Sequence, residues 1–462
     1  MGDMAVPPDA LYGASTQRAV LNFPISGRPL PPAFIRGLGL VKWACARANE
    51  ELGLLDFAKS SLIQTAALEI AAGELDAQFP VDVFQTGSAT STNTNANEVI
   101  ANRASQLTGQ PVGSGRPLHP NDDVNLGQSS NDVIPTTLHL SVALALHAEL
   151  APALDGLAAA LEKKSSDWTE VVKIGRTHLM DATPLTLGQE FSGYATQARK
   201  AAARSRHAID VLGELAVGGT AVGTGLNSDA RFGATVARIL SARTGLPFRE
   251  ARNHFEAQAA RDDCVEVAGE LVAIATAMTK IANDIRLLGS GPRAGLAELR
   301  LPATQPGSSI MPGKVNPVMS EMLVQVCLYV QGLAQTVAMA GRDGHLELNA
   351  TLPLMAHCLH ESIHCLANAV RVFAEKCVAG LAAESERCRE LVSRSLMLVT
   401  ALNPLIGYDA AAQAAKEAHA TGRTLREIVL ERKLLDAATL ERILDPLAMT
   451  KPGGVPNGSA GG

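Results

Sequence analysis

Several long stretches of the sequence place apolar residues at alternating intervals of three and four. The longest of these runs comprises Leu271, Ile274, Met278, Ile281, Ile285 and Leu288. No proline interrupts residues 256–288, and residues 323–337 and 150–161 repeat the same spacing. This seam pattern is typical of helices that pack nearly parallel in a bundle. Small residues such as Ala273 and Gly332 flank the seams, which predicts that these helices also pack against other subunits.

Polar tracts separate the apolar stretches at residues 85–98, 119–132, 175–184 and 307–317. We expect residues 1 to about 40, which are rich in proline and glycine, to form an extended lead-in. Helices should follow over residues 43–54 and 58–75, and another should begin beyond Pro135. Near the end of the chain, Thr424 and Glu427 have the spacing of a capping box. Residues 451–462 have the composition of a disordered tail.

Composition agrees with a helical core and excludes several classes of function. Hydrophobic residues make up 47% of the 462 residues and aromatic residues only 3%, which favours closely packed helices over aromatic-rich strands. A formal net charge of -6 leaves no basic footprint for nucleic acid or an anionic membrane. The seven cysteines form no CxxC pair and predict a reduced, cytoplasmic protein. We see neither a signal peptide nor an uncharged apolar run long enough to span a bilayer.

The tract at residues 307–317 carries the strongest chemical signal. Its glycines and prolines exclude regular secondary structure, and by itself such a segment is usually a surface connection. This one also contains Ser308, Lys314 and Asn316. A lysine near a serine favours the anionic form of the serine, so the loop can supply both a base and its electrostatic support.

The other polar tracts precede predicted helices. Residues 85–98 contain more Ser, Thr and Asn than helix capping requires, and a helix start crowded with such groups is suited to a carboxylate. The tract at 119–132 has the same character. His178 lies between Thr177 and Asp181 in a segment that we predict to be a loop before the helix carrying Gln189. Although a lone histidine is more often structural, we interpret His178 as functional.

Two other sites are weaker hypotheses. A cluster with some metal-ligand character lies on one predicted helix and comprises His357, Cys358, His360, His364 and Cys365. We interpret it as an ordinary helix face and predict no metal site. The glycine-rich residues 218–225 lack both the preceding strand and the following lysine of a nucleotide-binding loop. From the residues alone, the sequence predicts a lyase acting on a small dicarboxylate, with Ser308 removing a proton next to a carboxylate.

The tract at 307–317 resembles the signature of the fumarase/aspartase superfamily, and residues 175–178 and 129–131 are similar to its other shared blocks. Within the superfamily, residues 12–18, 116–132, 218–227, 344–349 and 395–409 look like class II fumarase. The resemblance implies an all-α fold in three domains, with a central long-helix bundle. We place these domains at residues 1–128, 129–385 and 386–462. It also implies a homotetramer whose active sites are each shared by several subunits.

The resemblance further implies reversible hydration of fumarate to L-malate through an aci-carboxylate intermediate, without metal or organic cofactor. Ser308 would be the base, His178 would act on the acid side, and Glu321 would orient the histidine. The substrate-binding residues implied in the same way are Ser88, Ala89, Thr90, Arg116, Ser129, Ser130, Asn131, Thr177, Ser309, Lys314, Val315 and Asn316. The residues that match a second dicarboxylate site are His119, Pro120, Asn121 and Asp122.

Two alternative functions remain open from the sequence. Ala89 and Thr94 depart from the fumarase pattern, and residues 91–93 and 316–318 look more like aspartase, which releases ammonia from L-aspartate. The pair Ser129 and Ser130 favours fumarase. The other alternative is a catalytically silent relative that serves as a structural oligomer. Retention of Ser308 together with the other predicted site residues argues against it, because a silent scaffold has no physical need for that set.

Overall fold

A computed structural model describes residues 3–113 and 117–453 of the chain. The described chain is predominantly helical, which confirms the predicted all-α class. Its α-helices are α1 (Ala14–Asn22), α2 (Pro32–Glu51), α3 (Phe57–Ala72), α4 (Thr90–Leu107), α5 (Ser130–Ala145), α6 (Ala151–Asp167), α7 (Leu187–Val211), α8 (Phe232–Thr244), α9 (His254–Ala259), α10 (Asp262–Leu288), α11 (Val318–Arg342), α12 (Leu352–Lys376), α13 (Ser385–Arg394), α14 (Asn403–Ile406), α15 (Tyr408–Thr421), α16 (Leu425–Glu431) and α17 (Ala437–Ile443).

Short strands form four two-stranded sheets within the described residues. The strands are β1 (Val172–Thr177), β2 (Met180–Thr186), β3 (Glu214–Leu215), β4 (Arg249–Glu250), β5 (Leu299–Arg300), β6 (Gly344–His345), β7 (Leu348–Asn349) and β8 (Ala382–Ala383). The pairs β1–β2, β5–β8 and β6–β7 are antiparallel, whereas β3–β4 is parallel. Among the described residues, only the hairpin β1–β2 has strands longer than two residues.

The predicted seams form the long helices. Helix α10 has 27 residues, and its seam residues Leu271, Ile274, Met278 and Ile281 are almost completely buried. Helix α5 continues through a π-helical turn, Leu146–Leu150, into α6. In the 25-residue helix α11 the predicted seam is buried at Leu323, whereas other apolar side chains of the same helix are exposed. The apolar spacing therefore identified the long helices correctly.

The chain forms two compact units. The first comprises residues 1–153, 201–276 and 325–369, and in it α2 packs against α3, α5 and α8. The second comprises residues 154–200, 277–324 and 370–462. In the second unit, Ile174 of β1 packs with Val392, Leu402 and Ile428 from the C-terminal helices. Each unit collects separate segments of the chain. The division into three consecutive domains remains a prediction.

The expectation of an extended lead-in up to residue 40 is wrong. Helix α1 forms within it, and α2 begins at Pro32, because proline is tolerated in the first turn of a helix. The carboxylate of Glu98 accepts hydrogen bonds from the backbone of Gly13, Ser15 and Thr16, which supplies partners for the amides at the start of α1. The capping box at Thr424 is confirmed. The predicted tail lies largely outside the described residues.

Within residues 3–113 and 117–453, two helical segments are long and apolar enough to cross a bilayer, contrary to the expectation from the sequence. They are Ser130–Asp167 and Val318–Arg342. The first segment carries a few charges, whereas residues 322–341 of the second carry none. The expectation overlooked that run because polar residues such as Gln331 and Gln335 interrupt it, although its overall hydropathy stays high. In the most apolar part of the first segment, 78% of the residues are buried inside the chain, as expected for a core helix. In the second, only 28% are buried.

Candidate active site

The start of α4 presents two predicted substrate-binding hydroxyls. Ser88 Oγ and Thr90 Oγ1 lie 2.8 Å apart and hydrogen bond to each other. Ala89 is the N-cap in a left-handed conformation, with φ of 52°, and it provides no side-chain cap. Gly87 is required here, because a Cβ atom would lie 1.9 Å from the carbonyl oxygen of Ala350. The Thr92 amide donates to Gln85 Oε1 at 3.2 Å, so anion binding at this helix start would fall to the amides of Thr90 and Ser91.

The predicted tract at Ser129–Asn131 forms the start of α5, which begins at Ser130 and not beyond Pro135 as expected. Ser129 and Asp132 form a capping box, which explains the earlier start. The buried carboxylate of Asp132 also accepts hydrogen bonds from the backbone amides of Gly218 and Thr220, at 3.0 Å each. Burial raises the pKa of Asp132 to about 6. The glycine-rich tract thus anchors a helix start.

A buried network joins the starts of α4 and α5 to α2. The side-chain oxygen of Asn125 accepts hydrogen bonds from Lys42 Nζ at 3.0 Å and from the amides of Asn93 and Asn97 at 3.2 Å each. Lys42 also donates to Gln128 Oε1 at 3.0 Å. Asn93 donates to Ser130 Oγ at 3.1 Å, so the network reaches a predicted substrate-binding hydroxyl.

His178 lies in the turn of the hairpin β1–β2, whose two strands replace the longer loop that we predicted over residues 175–184. Thr177 pairs with Met180, which leaves His178 and Leu179 as a two-residue turn with φ of 55° and 63°. Two consecutive left-handed residues match the right-handed twist of a hairpin. The sequence lacks the usual Asn-Gly signal for this turn, which explains why the hairpin was missed. The imidazole of His178 is exposed.

Buried ion pairs hold the strand that leads to His178. Lys173 and Arg176 both contact the fully buried carboxylate of Glu298, at 3.3 and 3.0 Å. Residues three apart face opposite sides of a regular strand, but an irregularity between Ile174 and Arg176 shifts the register. Both cations can therefore reach one carboxylate. Gly175 lies in this irregularity, where a Cβ atom would approach the carbonyl oxygen of Thr183 to 2.5 Å.

Ser308 and Lys314 line one cavity of about 400 Å³ in the 307–317 tract. Ser308 Oγ accepts hydrogen bonds from the backbone amides of Ile310 and Met311, at 3.3 and 3.0 Å. Two amide donors and a nearby cation favour the alkoxide form of the serine, which a serine must adopt to act as a base. Asn316 donates to the Gly307 carbonyl oxygen and closes the base of the loop.

The remaining predicted residues occupy separate positions. Ser309, Lys314 and Val315 are exposed on the loop, and Glu321 is exposed in the first turn of α11. His119 caps the π-helical turn Pro120–Val124 through Nδ1, which accepts from the Asp122 amide at 3.0 Å. Its neighbours Asn121 and Asp122 are also exposed. Arg116 lies outside the described residues.

The described contacts thus bring the predicted residues together in three groups. Ser88 contacts Thr90 directly, Ser130 joins the Asn125 network, and Ser308 shares a cavity with Lys314. Sequence reasoning missed Lys42, Asn93, Asn97 and Asn125. The asparagines lie in or next to polar tracts that were noticed, but Lys42 lies in an apolar helix, where the sequence gives no local signal.

No cluster of three or more potential metal ligands occurs among the residues described by the structure. In the His/Cys segment of α12, His360 Nε2 hydrogen bonds to Ser141 Oγ at 2.9 Å. His364 contacts Glu149 instead, so these two histidines have separate partners. The cysteines at 358 and 365 carry thiols whose pKa is raised to about 11 by burial, which opposes metal binding by thiolate.

Comparison with known proteins extends the likeness over the whole chain. The family described as Lyase matches residues 2–332, and the one described as Fumarase C C-terminus matches residues 398–451. The chain is 54% identical to the class II fumarate hydratase of Mycobacterium tuberculosis over 456 residues, or 98% of this chain and 95% of that protein. It is 50% identical to the class II fumarate hydratase of Xylella fastidiosa over 462 residues, or 100% and 96%.

Solved structures agree with these relatives. The crystal structure of a class II fumarase from Schistosoma mansoni superposes with a TM-score of 0.95 at 40% identity, covering 98% of both chains. A fumarate lyase:delta crystallin from Brucella melitensis, bound to cobalt, gives a TM-score of 0.94 at 46% identity, again covering 98% of both chains. The likeness therefore extends from sequence to fold, and this chain belongs to the class II fumarate hydratase family of the fumarase/aspartase superfamily.

Proposed function

We propose that this protein catalyses the reversible hydration of fumarate to L-malate. The observation that carries the proposal is the environment of Ser308, whose Oγ accepts two backbone N–H groups and shares a cavity with the Lys314 ammonium. These groups stabilise the alkoxide of a serine base. The names of the relatives, class II fumarate hydratase, favour this substrate pair over L-aspartate.

In the malate-to-fumarate direction, the Ser308 alkoxide takes the C3 proton. The electrons of that C–H bond pass into the adjacent carboxylate and form the aci-carboxylate dianion, which the ammonium of Lys314 and the amide of Asn316 stabilise. Collapse of the dianion forms the C=C bond and breaks the C–O bond at C2. A proton from the acid side, which we assign to His178 oriented by Glu321, allows the hydroxyl to leave as water.

Substrate binding is assigned to the helix starts and the catalytic loop. Hydroxyls and amides at the start of α4 and at Ser129–Asn131 suit a carboxylate, because helix N-terminal amides and the helix dipole favour an anion. Of the remaining assigned groups, Thr177 precedes His178, Ser309 follows Ser308 and Val315 follows Lys314 in the chain. Arg116 is assigned from the sequence alone. We assign a second dicarboxylate site to residues 119–122, supported by the exposure of His119 and Asn121.

We further propose a cytoplasmic homotetramer with active sites shared between subunits. Support comes from α11, which is strongly apolar yet largely unburied within one chain, with Leu328, Tyr329 and Met339 exposed. The exposure of His178 is in keeping with a site that other subunits complete. The seven free cysteines support a reducing compartment. Light scattering of the purified protein should give four times the chain mass, and a monomer would contradict this part of the proposal.

The deciding experiment follows the ultraviolet absorbance of fumarate when purified protein is incubated with L-malate and, separately, with L-aspartate. We expect fumarate from malate alone, and turnover that survives exhaustive treatment with a chelator. Fumarate and ammonia from aspartate alone would identify an ammonia-lyase instead. No reaction with either substrate would contradict both and favour the structural-oligomer hypothesis.

A further inference from the structure

Lys42 is an unusual residue for the place it occupies. Its side chain is completely buried in α2 among apolar neighbours, and burying an ammonium is costly unless its charge is compensated. The described contacts give it two hydrogen-bond acceptors, Asn125 Oδ1 and Gln128 Oε1, and both are neutral amide oxygens. The charge is therefore solvated but not neutralised by a directly bonded carboxylate.

The position of Lys42 indicates what the charge does. Asn125 Oδ1 receives donors from α2, through Lys42, and from α4, through Asn93 and Asn97. The Asn125 amide then donates to the Gln128 carbonyl oxygen at 3.0 Å, directly before Ser129. Because an ammonium is only a donor, it fixes which end of each amide faces it. Lys42 thus determines the orientation of the groups that connect the starts of α4 and α5.

The network ends at the substrate-binding groups. Asn93 uses its two N–H groups on Asn125 and Ser130, so Lys42 is two hydrogen-bonded residues away from the Ser130 hydroxyl. Asn93 itself lies at the end of the first turn of α4, three residues after Thr90. A dicarboxylate bound to these helix starts would bring negative charge close to the buried ammonium, where the low dielectric strengthens the attraction.

We propose that Lys42 is a positioning residue for the dicarboxylate site, which orients the Asn125 network and supplies a buried positive charge for the dianionic substrate. This inference rests on the proposed function, since it assumes that a dicarboxylate binds at the starts of α4 and α5. It assigns to α2 a part in substrate recognition beyond its packing against α3 and α5.

The titration of Lys42 provides a signature that packing alone does not produce. Burial lowers its pKa to about 8, and the charged or titratable groups that act on it are Asp132 of α5 and Cys45 of α2 itself. A bound dianion stabilises the ammonium and raises this pKa again. Binding at pH 8 should therefore be accompanied by uptake of a fraction of a proton, up to about 0.5 per site.

The test uses the full-length protein with three measurements. Calorimetry of succinate binding at pH 8, in buffers of different ionisation enthalpy, measures proton uptake by the wild type and by Lys42→Met. Steady-state kinetics with malate gives KM and kcat for both. The matched control is Lys163→Met, which removes an exposed lysine of α6 paired with Asp167.

We expect proton uptake when succinate binds to the wild type, and loss of this uptake in Lys42→Met. In that variant the KM for malate should rise roughly 10- to 100-fold, with a much smaller change in kcat. The Lys163→Met control should match the wild type. Binding to the wild type without proton uptake, or an unchanged KM in a folded Lys42→Met, would overturn the inference. If Lys42→Met does not fold, the wild-type calorimetry decides. A wild type that neither binds succinate nor turns over malate overturns the proposed function first and the inference with it.

Discussion

The proposed binding groups and the proposed catalytic groups of this protein are held in different ways. At the start of α5, Ser130 belongs to a network of mostly buried side chains centred on Asn125, and at the start of α4 Ser88 hydrogen bonds to Thr90. His178 and Ser308 lie instead on a hairpin tip and an irregular loop, where the described contacts of Ser308 are with backbone amides. His178 is exposed, and Ser308 is half-buried.

The side chains of the two regions are therefore oriented by different parts of the molecule. In the buried network, each side chain is oriented by another side chain, so a single substitution there leaves a buried polar partner unpaired. In the exposed segments, the position of each side chain depends on the backbone, through left-handed residues at 178 and 179 and glycines that allow close approach. Substitutions at the proposed catalytic side chains should therefore affect chemistry, whereas substitutions within the buried network should affect stability as well.

The sharpest test of this separation is Ser308→Ala. Removing the base should lower kcat roughly 100- to 10,000-fold in the malate assay. The melting temperature should stay the same, because the hydrogen bonds of the Ser308 side chain within the described residues are to amides of its own loop. Ser393→Ala, which removes an exposed hydroxyl from α13, should retain full activity. Near-normal turnover of Ser308→Ala would rule out the assigned base, and a large loss of stability would contradict the separation itself.

The substitution Gly175→Ala should have the second-largest effect on activity. Its added methyl group would meet the Thr183 carbonyl oxygen at 2.5 Å, so the hairpin must distort and displace His178. We expect kcat to fall on the order of 10- to 100-fold, with a loss of stability of about 1–3 kcal/mol. The matched control is Gly193→Ala in α7. There the added Cβ atom would have no packing neighbour within 4 Å, and alanine favours the helix. If both variants behave alike, the hairpin does not position His178.

The same contrast explains how much the sequence could predict. Apolar spacing identified the long helices, since burial of Leu271 and Ile274 depends on periodicity alone. The polar tracts and Ser308 were recognised because unusual residue types stand close together in the chain. Residue types at these positions also carried the resemblance that the relatives and solved structures confirm.

Features that depend on partners distant in sequence could not be predicted in this way. Lys42 and Asn125 are 83 residues apart, and the turn at His178 has no glycine or asparagine to announce it. The pairing of Arg176 with Glu298 spans 122 residues. Pro32 lies in the segment that we expected to be extended, although proline at the first position of a helix such as α2 is well tolerated. The pairings of Lys42 with Asn125 and of Arg176 with Glu298 are decided by tertiary packing.

The smallest predicted effect is an acid sensitivity confined to the buried region. His360 packs against Ser141, and burial lowers its pKa to about 4 from an ordinary value of 6.5. Since the unfolded chain binds the proton more readily, stability present above pH 6.5 should be lost as the pH falls toward 4. Between pH 6.5 and 5, the wild type should lose about 2 kcal/mol relative to His360→Gln, which cannot be protonated there. Urea unfolding midpoints of both proteins measure this difference. Equal pH dependence would show that His360 is not held neutral, and that the buried region is less closed to solvent than its contacts indicate.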